Sequence, residues 1–239
     1  MDRQAALPYP ARQDTDWPIV NTKRCRVITR RALLVGVSAL ALLTYADPFA
    51  RAFAQSKVSD ADLSPAGPLG DQVMGADNAP VTIVEYASMT CPHCAQFQAK
   101  TFPKLKERYI DTGKVRFIFR EFPLDPLAAG AFMLARCADK DKYFAVIDLL
   151  FGTQRDWVVP NPLQPLLNVA KQAGYTEETF NTCLKNQQVL DGIQNVRDRA
   201  AKVLNVESTP TFFVNGKRVV GDVSIEDLEK EMKPYLKAS

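Results

Sequence analysis

Apolar positions along the chain fall into blocks of different period, and each block predicts an element. Residues 79–88, "APVTIVEYAS", are almost continuously apolar and rich in β-branched and aromatic side chains. That is the pattern of a strand buried on both faces. Gln96 to Arg108 reads as helix, with Pro103 as a kink. "KVRFIFREFP", 114–123, is a second strand with Val115, Phe117 and Phe119 on one face. From Pro126 to Asn205 apolar residues recur at three and four positions, through "PLAAGAFMLARCA", "DKYFAVIDLLF", "TEETFNTCLKN" and "VLDGIQNVRDRAAKVL", which predicts a block of helices. Thr176, followed by Glu177 and Glu178, marks one helix start. "TPTFFVNGKRVVG", 209–221, reads as a β-hairpin turning at Asn215-Gly216. Ser224, with Asp227 three residues on, resembles a capping box opening a final helix.

A different apolar run stands near the start. Ala32 to Ala46, "ALLVGVSALALLTYA", has fifteen residues and no charge. A membrane span needs about 20 residues, so this run fits a signal-peptide core better. Lys23, Arg24, Arg26, Arg30 and Arg31 precede it, and "AFAQ" follows as a small-x-small cleavage pattern, predicting a cut after Ala54. Thr29-Arg30-Arg31 resembles a twin-arginine signal, although Leu33 stands where Phe is typical. A Sec signal and an uncleaved anchor are the alternatives. Each places the main domain outside the cytoplasm, in a compartment such as the periplasm. The expected organisation is an export signal over 1–54, a flexible lead-in over 55–78 with Pro65, Gly67, Pro68 and Gly70, and a domain in three parts, 79–125, 126–205 and 206–239.

Charge changes the picture only by locating itself. The net +3 comes from the leader: residues 1–54 carry eight Lys/Arg against four Asp/Glu, and the remainder carries twenty-two against twenty-three. The exported part has no basic stripe, so nucleic acid is not an expected partner.

The exported part holds four cysteines, Cys91, Cys94, Cys137 and Cys183; Cys25 belongs to the leader. Four cysteines allow three pairings. Cys91 and Cys94 are near neighbours, which leaves Cys137 with Cys183, either as a disulfide clamping the helical block or as two free buried thiols. In an oxidising compartment the bond is the expectation.

Cys91-Pro92-His93-Cys94 contains the only histidine of the chain. A zinc site needs about four Cys or His ligands, and there is no second Cys-x-x-Cys, so no metal is expected. A structural clip over two intervening residues constrains the unfolded chain little. A redox pair fits the flanks. The pair lies where a buried strand becomes a helix, and Pro92 suits the first helical turn. Cys91 then sits at the helix N-terminus, where free N–H groups and the helix dipole favour a thiolate. His93 is expected to stabilise that thiolate further, and Cys94, one turn in, to be the less exposed resolving thiol. No cofactor is called for, because the two sulfurs carry the electrons.

The order of elements, Cys91-Pro92-His93-Cys94, the strand "VTIVEY" ahead of it and "STPTFFVNG" near the end resemble the thioredoxin fold with an inserted all-helical domain, an α/β class. The particular resemblance is to the DsbA-like family of exported thiol–disulfide oxidoreductases, over about residues 70–239. It implies that Thr209-Pro210 is a cis peptide facing the redox pair and presenting the Thr209 backbone to an extended substrate. It also implies that Glu85 is a buried acid relaying protons to or from Cys94. Ile83, Val84, Tyr86 and Ala87 around it argue for burial over a solvated strand end. A buried acid usually needs a partner, and Arg116 and Arg120 are the candidates.

The implied substrates are unfolded or folding exported proteins with cysteines, and the implied reoxidant is a membrane quinone-linked thiol oxidase. A disulfide isomerase or reductase is the rival reading, since Thr before Pro210 also occurs in isomerase-like relatives; the lead-in is too short for their added dimerisation domain. A non-catalytic module binding peptide or metal on the same scaffold is the third.

Overall fold

The computed structural model describes residues 57–236. The signal-like leader, its cleavage site and Cys25 lie outside the described residues. In chain order the elements are α1 (Asp60–Leu63), β1 (Gln72–Met74), β2 (Val81–Ala87), α2 (Pro92–Lys100), α3 (Phe102–Leu105), β3 (Val115–Glu121), α4 (Pro126–Cys137), α5 (Tyr143–Gly152), α6 (Gln154–Trp157), α7 (Leu163–Gln172), α8 (Glu177–Leu184), α9 (Gln187–Val203), β4 (Thr211–Val214), β5 (Lys217–Val220) and α10 (Ile225–Leu236).

The strands form one five-stranded sheet in the order β1-β3-β2-β4-β5. β2 and β3 are parallel, and every other pairing is antiparallel. β2 is central and buried nearly throughout, as its continuous apolarity predicts. On one face Ile83, Ala87, Phe117, Phe119, Phe212 and Val214 meet Phe97, Phe102, Phe132 and Leu228 in the larger core. On the other, Val84, Ile118 and Phe213 pack with Leu63, Val196 and Ala200.

Local chemistry sets the boundaries. Pro103 has no N–H to give the carbonyl of Ala99; α2 ends, α3 follows, and the chain widens into a π turn over Lys106–Ile110. Thr176 and Thr179 cap each other reciprocally at α8, and Ser224 Oγ accepts the Asp227 N–H at α10. Asn215 and Gly216 both adopt positive φ, 43° and 85°, the requirement of a tight hairpin turn. Asn215 Oδ1 also accepts the Thr82 N–H, pinning the hairpin to β2.

One expectation needs correcting. Residues 57–78 are not merely a flexible lead-in. Val58 donates to the Gly216 carbonyl, and Gln72–Met74 pairs with Phe117–Phe119 as an edge strand. Three residues are too few to show a period, so the strand was hidden among Pro and Gly.

α4 to α9 occupy the stretch between β3 and β4. Cys137, at the end of α4, is disulfide-bonded to Cys183 of α8, with Cα atoms 6.0 Å apart. Among the described residues no helix is long and apolar enough to cross a membrane.

Candidate active site

β2 runs out at Ala87, and Ser88 to Thr90 turn the chain into α2. The Cys91 N–H bonds the Ser88 carbonyl at 3.1 Å, and Cys91 itself is the N-cap, extended at φ −81°, ψ 120°, with Pro92 beginning the helix. Its carbonyl accepts the Ala95 N–H. The backbone N–H groups of His93 and Cys94 lack helical acceptors of their own and act on the Cys91 sulfur. Cys91 is 6% exposed and Cys94 fully buried; both are free thiols.

The cis Thr209–Pro210 bond brings a distant segment to the same place. The Cys91 thiol donates to the Thr209 carbonyl at 3.2 Å. Thr209 Oγ1 is buried and has no hydrogen-bond partner.

These contacts separate the two thiols electrically. Hydrogen bonding from Cys94 is the largest effect on Cys91; with help from Thr209 and from the backbone N–H groups of Cys94 and His93, it overcomes burial and brings the Cys91 thiol down to about 5. Burial pushes Cys94 well above the ordinary thiol range, and the Cys91 hydrogen bond and the Glu85 charge push the same way. Above about pH 5, and until Cys94 ionises, the pair holds one proton, on the inner sulfur. His93 reaches the sulfur by its backbone. It pulls on the thiolate through its main-chain N–H, while its imidazole is exposed. Side-chain hydrogen bonding, from Cys94 first and Thr209 next, leads the stabilisation, and the backbone N–H groups of Cys94 and His93 add to it.

Glu85 is 1% exposed, and Oε2 has no hydrogen-bond partner. Burial first, and the Cys91 charge second, raise its carboxyl well above the usual range. Neither expected arginine partners it. Arg120 makes two bonds to Asp71, at 2.8 and 2.9 Å, and one to the Tyr86 hydroxyl at 2.8 Å; Arg116 faces Asp77. The reason is parity. In the β2–β3 register Glu85 pairs with Phe119, Thr82 with Arg116 and Tyr86 with Arg120. Side chains alternate between faces, so both arginines lie on the opposite side of the sheet from Glu85.

On the Glu85 face sequence reasoning missed another buried cluster. Glu121, at the end of β3, receives Arg136 of α4 at 2.5 and 3.0 Å and the Tyr143 hydroxyl at 2.8 Å. Arg136 also donates to the carbonyls of Leu69 and Gly70. Glu121 could have been flagged by the same parity that places Glu85. Arg136 and Tyr143 lie in helices whose mutual packing no periodicity reveals.

Comparison with known proteins agrees with this geometry. The sequence model of a family described as "Thioredoxin" matches residues 69–233. Disulfide bond formation protein D of Bacillus subtilis is 31% identical over 176 residues, covering 69% of this chain and 78% of that protein. A Rickettsia bellii protein, named as a candidate protein-disulfide oxidoreductase, is 34% identical over 148 residues, covering 61% of this chain and 57% of its own. The chain thus spans less than two thirds of the length of that rickettsial relative. The crystal structure of Wolbachia pipientis alpha-DsbA1 superposes with a TM-score of 0.68 at 29% identity, covering 74% of this chain and 96% of that one. A strand-to-helix turn bearing two unlike thiols, faced by a cis-proline and set in a sheet with a helical insertion, therefore has its family: the chain belongs to the thioredoxin family, in its DsbA-like branch.

Proposed function

We propose that this protein is an exported thiol–disulfide oxidoreductase that donates the Cys91–Cys94 disulfide to substrate proteins. The observation that carries the reading is the opposed character of the two thiols, Cys91 held near 5 and Cys94 held up.

The exchange follows from that contrast. A substrate thiolate attacks the Cys91 sulfur of the oxidised pair. The Cys91–Cys94 bond breaks, its electron pair goes to Cys94, and a substrate–Cys91 disulfide forms. Cys94 is buried, so its thiolate must take a proton. Glu85, kept neutral by its surroundings, is the assigned donor. A second substrate thiolate then attacks the substrate sulfur of the mixed disulfide, and Cys91 leaves as a thiolate. The substrate loses two electrons and the protein gains two. A good leaving group at Cys91 speeds the second step and makes the disulfide more oxidising.

Thr209 and Pro210 are assigned to substrate binding, with the Thr209 carbonyl free to accept from a substrate backbone N–H once Cys91 has no thiol hydrogen to give it. His93, exposed on the first turn, is assigned to the departing Cys91 thiolate. Pro92 begins the helix without wasting an amide. The reduced pair then needs an oxidant, and a membrane quinone-linked thiol oxidase is the proposed partner. The signal-like leader supports export to an oxidising compartment such as the periplasm.

The test is thiol trapping of Cys91 and Cys94 in cells, together with oxidation of a reduced two-cysteine substrate by the purified protein. A mostly oxidised pair and stoichiometric substrate oxidation are expected. A mostly reduced pair that refolds scrambled substrate instead marks an isomerase or reductase.

A further inference from the structure

The turn that carries Cys91 is held by the helical insertion from two directions. On one side Thr90 Oγ1 donates to Asp125 Oδ2 at 2.5 Å, and Asp125 is itself the N-cap of α4. On the other, Gln154 opens α6 and is only 8% exposed. Its Nε2 lies 2.8 Å from the Met89 carbonyl and 3.0 Å from the Cys91 carbonyl. Both neighbours are acceptors, so the atom facing them is the amide nitrogen and both of its hydrogens are committed. Glutamine is mostly exposed in proteins; a buried one spending both donors on a single turn is there for that turn.

We infer that Gln154 is a positioning residue for the redox turn, one that fixes the Met89 and Cys91 carbonyls and offsets their negative ends beside the reactive sulfur. This rests on the proposed exchange at Cys91. The Cys91 carbonyl must point along α2 to accept the Ala95 N–H, and the second bond, from Gln154, locks that direction. The lock keeps the amides of the first turn aimed at the sulfur. It also keeps two carbonyl dipoles, whose oxygens repel an anion, engaged with a donor. The effect is therefore larger for thiolate than for thiol. Because the donor comes from α6, the insertion contributes directly to the electronics of a pair carried by the thioredoxin-fold portion. The ionisable groups around the turn are Cys94 and His93 of α2, Glu85 of β2, Asp125 at the start of α4, and Arg155 and Asp156 beside Gln154 on α6.

The experiment titrates Cys91 by thiolate ultraviolet absorbance in wild type, Gln154→Met and Gln154→Lys. Gln154→Met keeps the volume and removes the donors; Gln154→Lys restores a donor of similar reach. A hydrogen bond contributes about 0.5–1.5 kcal/mol, so Gln154→Met should raise the Cys91 midpoint by about 0.4–1 unit. Its disulfide should become roughly three- to tenfold less oxidising against glutathione. Gln154→Lys should stay at or below the wild-type midpoint. Two results overturn the inference while wild-type Cys91 remains acidic: a Met variant that melts earlier with an unshifted midpoint, or, should that variant not fold, a Lys variant titrating above wild type. A wild-type Cys91 that titrates like an ordinary thiol overturns the proposed function instead.

Discussion

The Cys91 thiol hands its hydrogen to the backbone carbonyl of Thr209 at 3.2 Å, across 118 positions of sequence. A carbonyl can only accept, so this bond belongs to the thiol and is lost on ionisation. The Thr209 side chain, whose hydroxyl is buried and unpartnered, and the backbone N–H groups of His93 and Cys94 then favour the thiolate. The same segment therefore serves both protonation states.

Titration of the reduced protein should show one thiolate forming near pH 5 and the second not forming in the ordinary thiol range. Mass-resolved alkylation should assign the first to Cys91, at a rate that no longer rises above about pH 6. His93→Ala keeps the backbone N–H that acts on the sulfur and should move the midpoint by less than about one unit. A larger movement would return the imidazole to the role that sequence assigned it.

Glu85→Gln should stabilise the reduced domain, and more so at higher pH. The sign follows from the direction of the shift. The folded carboxyl titrates well above its ordinary value, so the unfolded chain releases this proton first as pH rises. The contribution of Glu85 to stability is intact below the unfolded value of about 4.3 and is lost progressively above it. Urea midpoints at about pH 5 and about pH 8 should separate wild type from variant chiefly at the higher value. The cost appears in rate: without the acid, release of Cys94 from the disulfide should slow by roughly a hundredfold, the low end of general acid catalysis.

Arg136→Met should destabilise the domain by about 3–5 kcal/mol in urea unfolding, because it strands the carboxylate of Glu121 in the core. Adding Glu121→Leu should recover most of the loss, since an apolar pair of similar volume needs no desolvation. If the double variant is no better than the single, the stability lies in the Arg136 bonds to Leu69 and Gly70.

Replacing Cys137 and Cys183 together by Ala removes a link spanning 46 positions. Loop-closure entropy puts the loss at about 4 kcal/mol. Denaturant unfolding checks the stability, and the Cys91 titration should be unmoved.

Legibility in the sequence tracked how local each cause was. The helix N-cap at Cys91, the Asn215-Gly216 hairpin and the Ser224 cap are decided by neighbours within a few positions, and all were readable. The buried strand over 81–87 was readable because both of its faces are apolar. Contacts between elements were not. Arg120 looked like a partner for Glu85 until register and parity put them on opposite faces of the sheet. Gln154 lies 63 positions from Cys91, in a four-residue helix too short to show a period. Glu121, Arg136 and Tyr143 meet only when the helices pack around β3. Family resemblance supplied what periodicity could not, namely that Thr209-Pro210 returns to face Cys91.

Under the proposed function, the outer strand β5 bears on how the protein keeps clear of its own clients. It is four residues long, carries Lys217 and Arg218, and among the described residues has a strand partner on one side only. A protein that exchanges disulfides with unfolded substrates, as proposed, would meet extended chains able to add themselves to an open border. So short a rim offers few main-chain bonds to a newcomer, and its two cations are already engaged, Lys217 with Glu231 and Arg218 with the Leu204 carbonyl, leaving encounters to be settled at the sulfur.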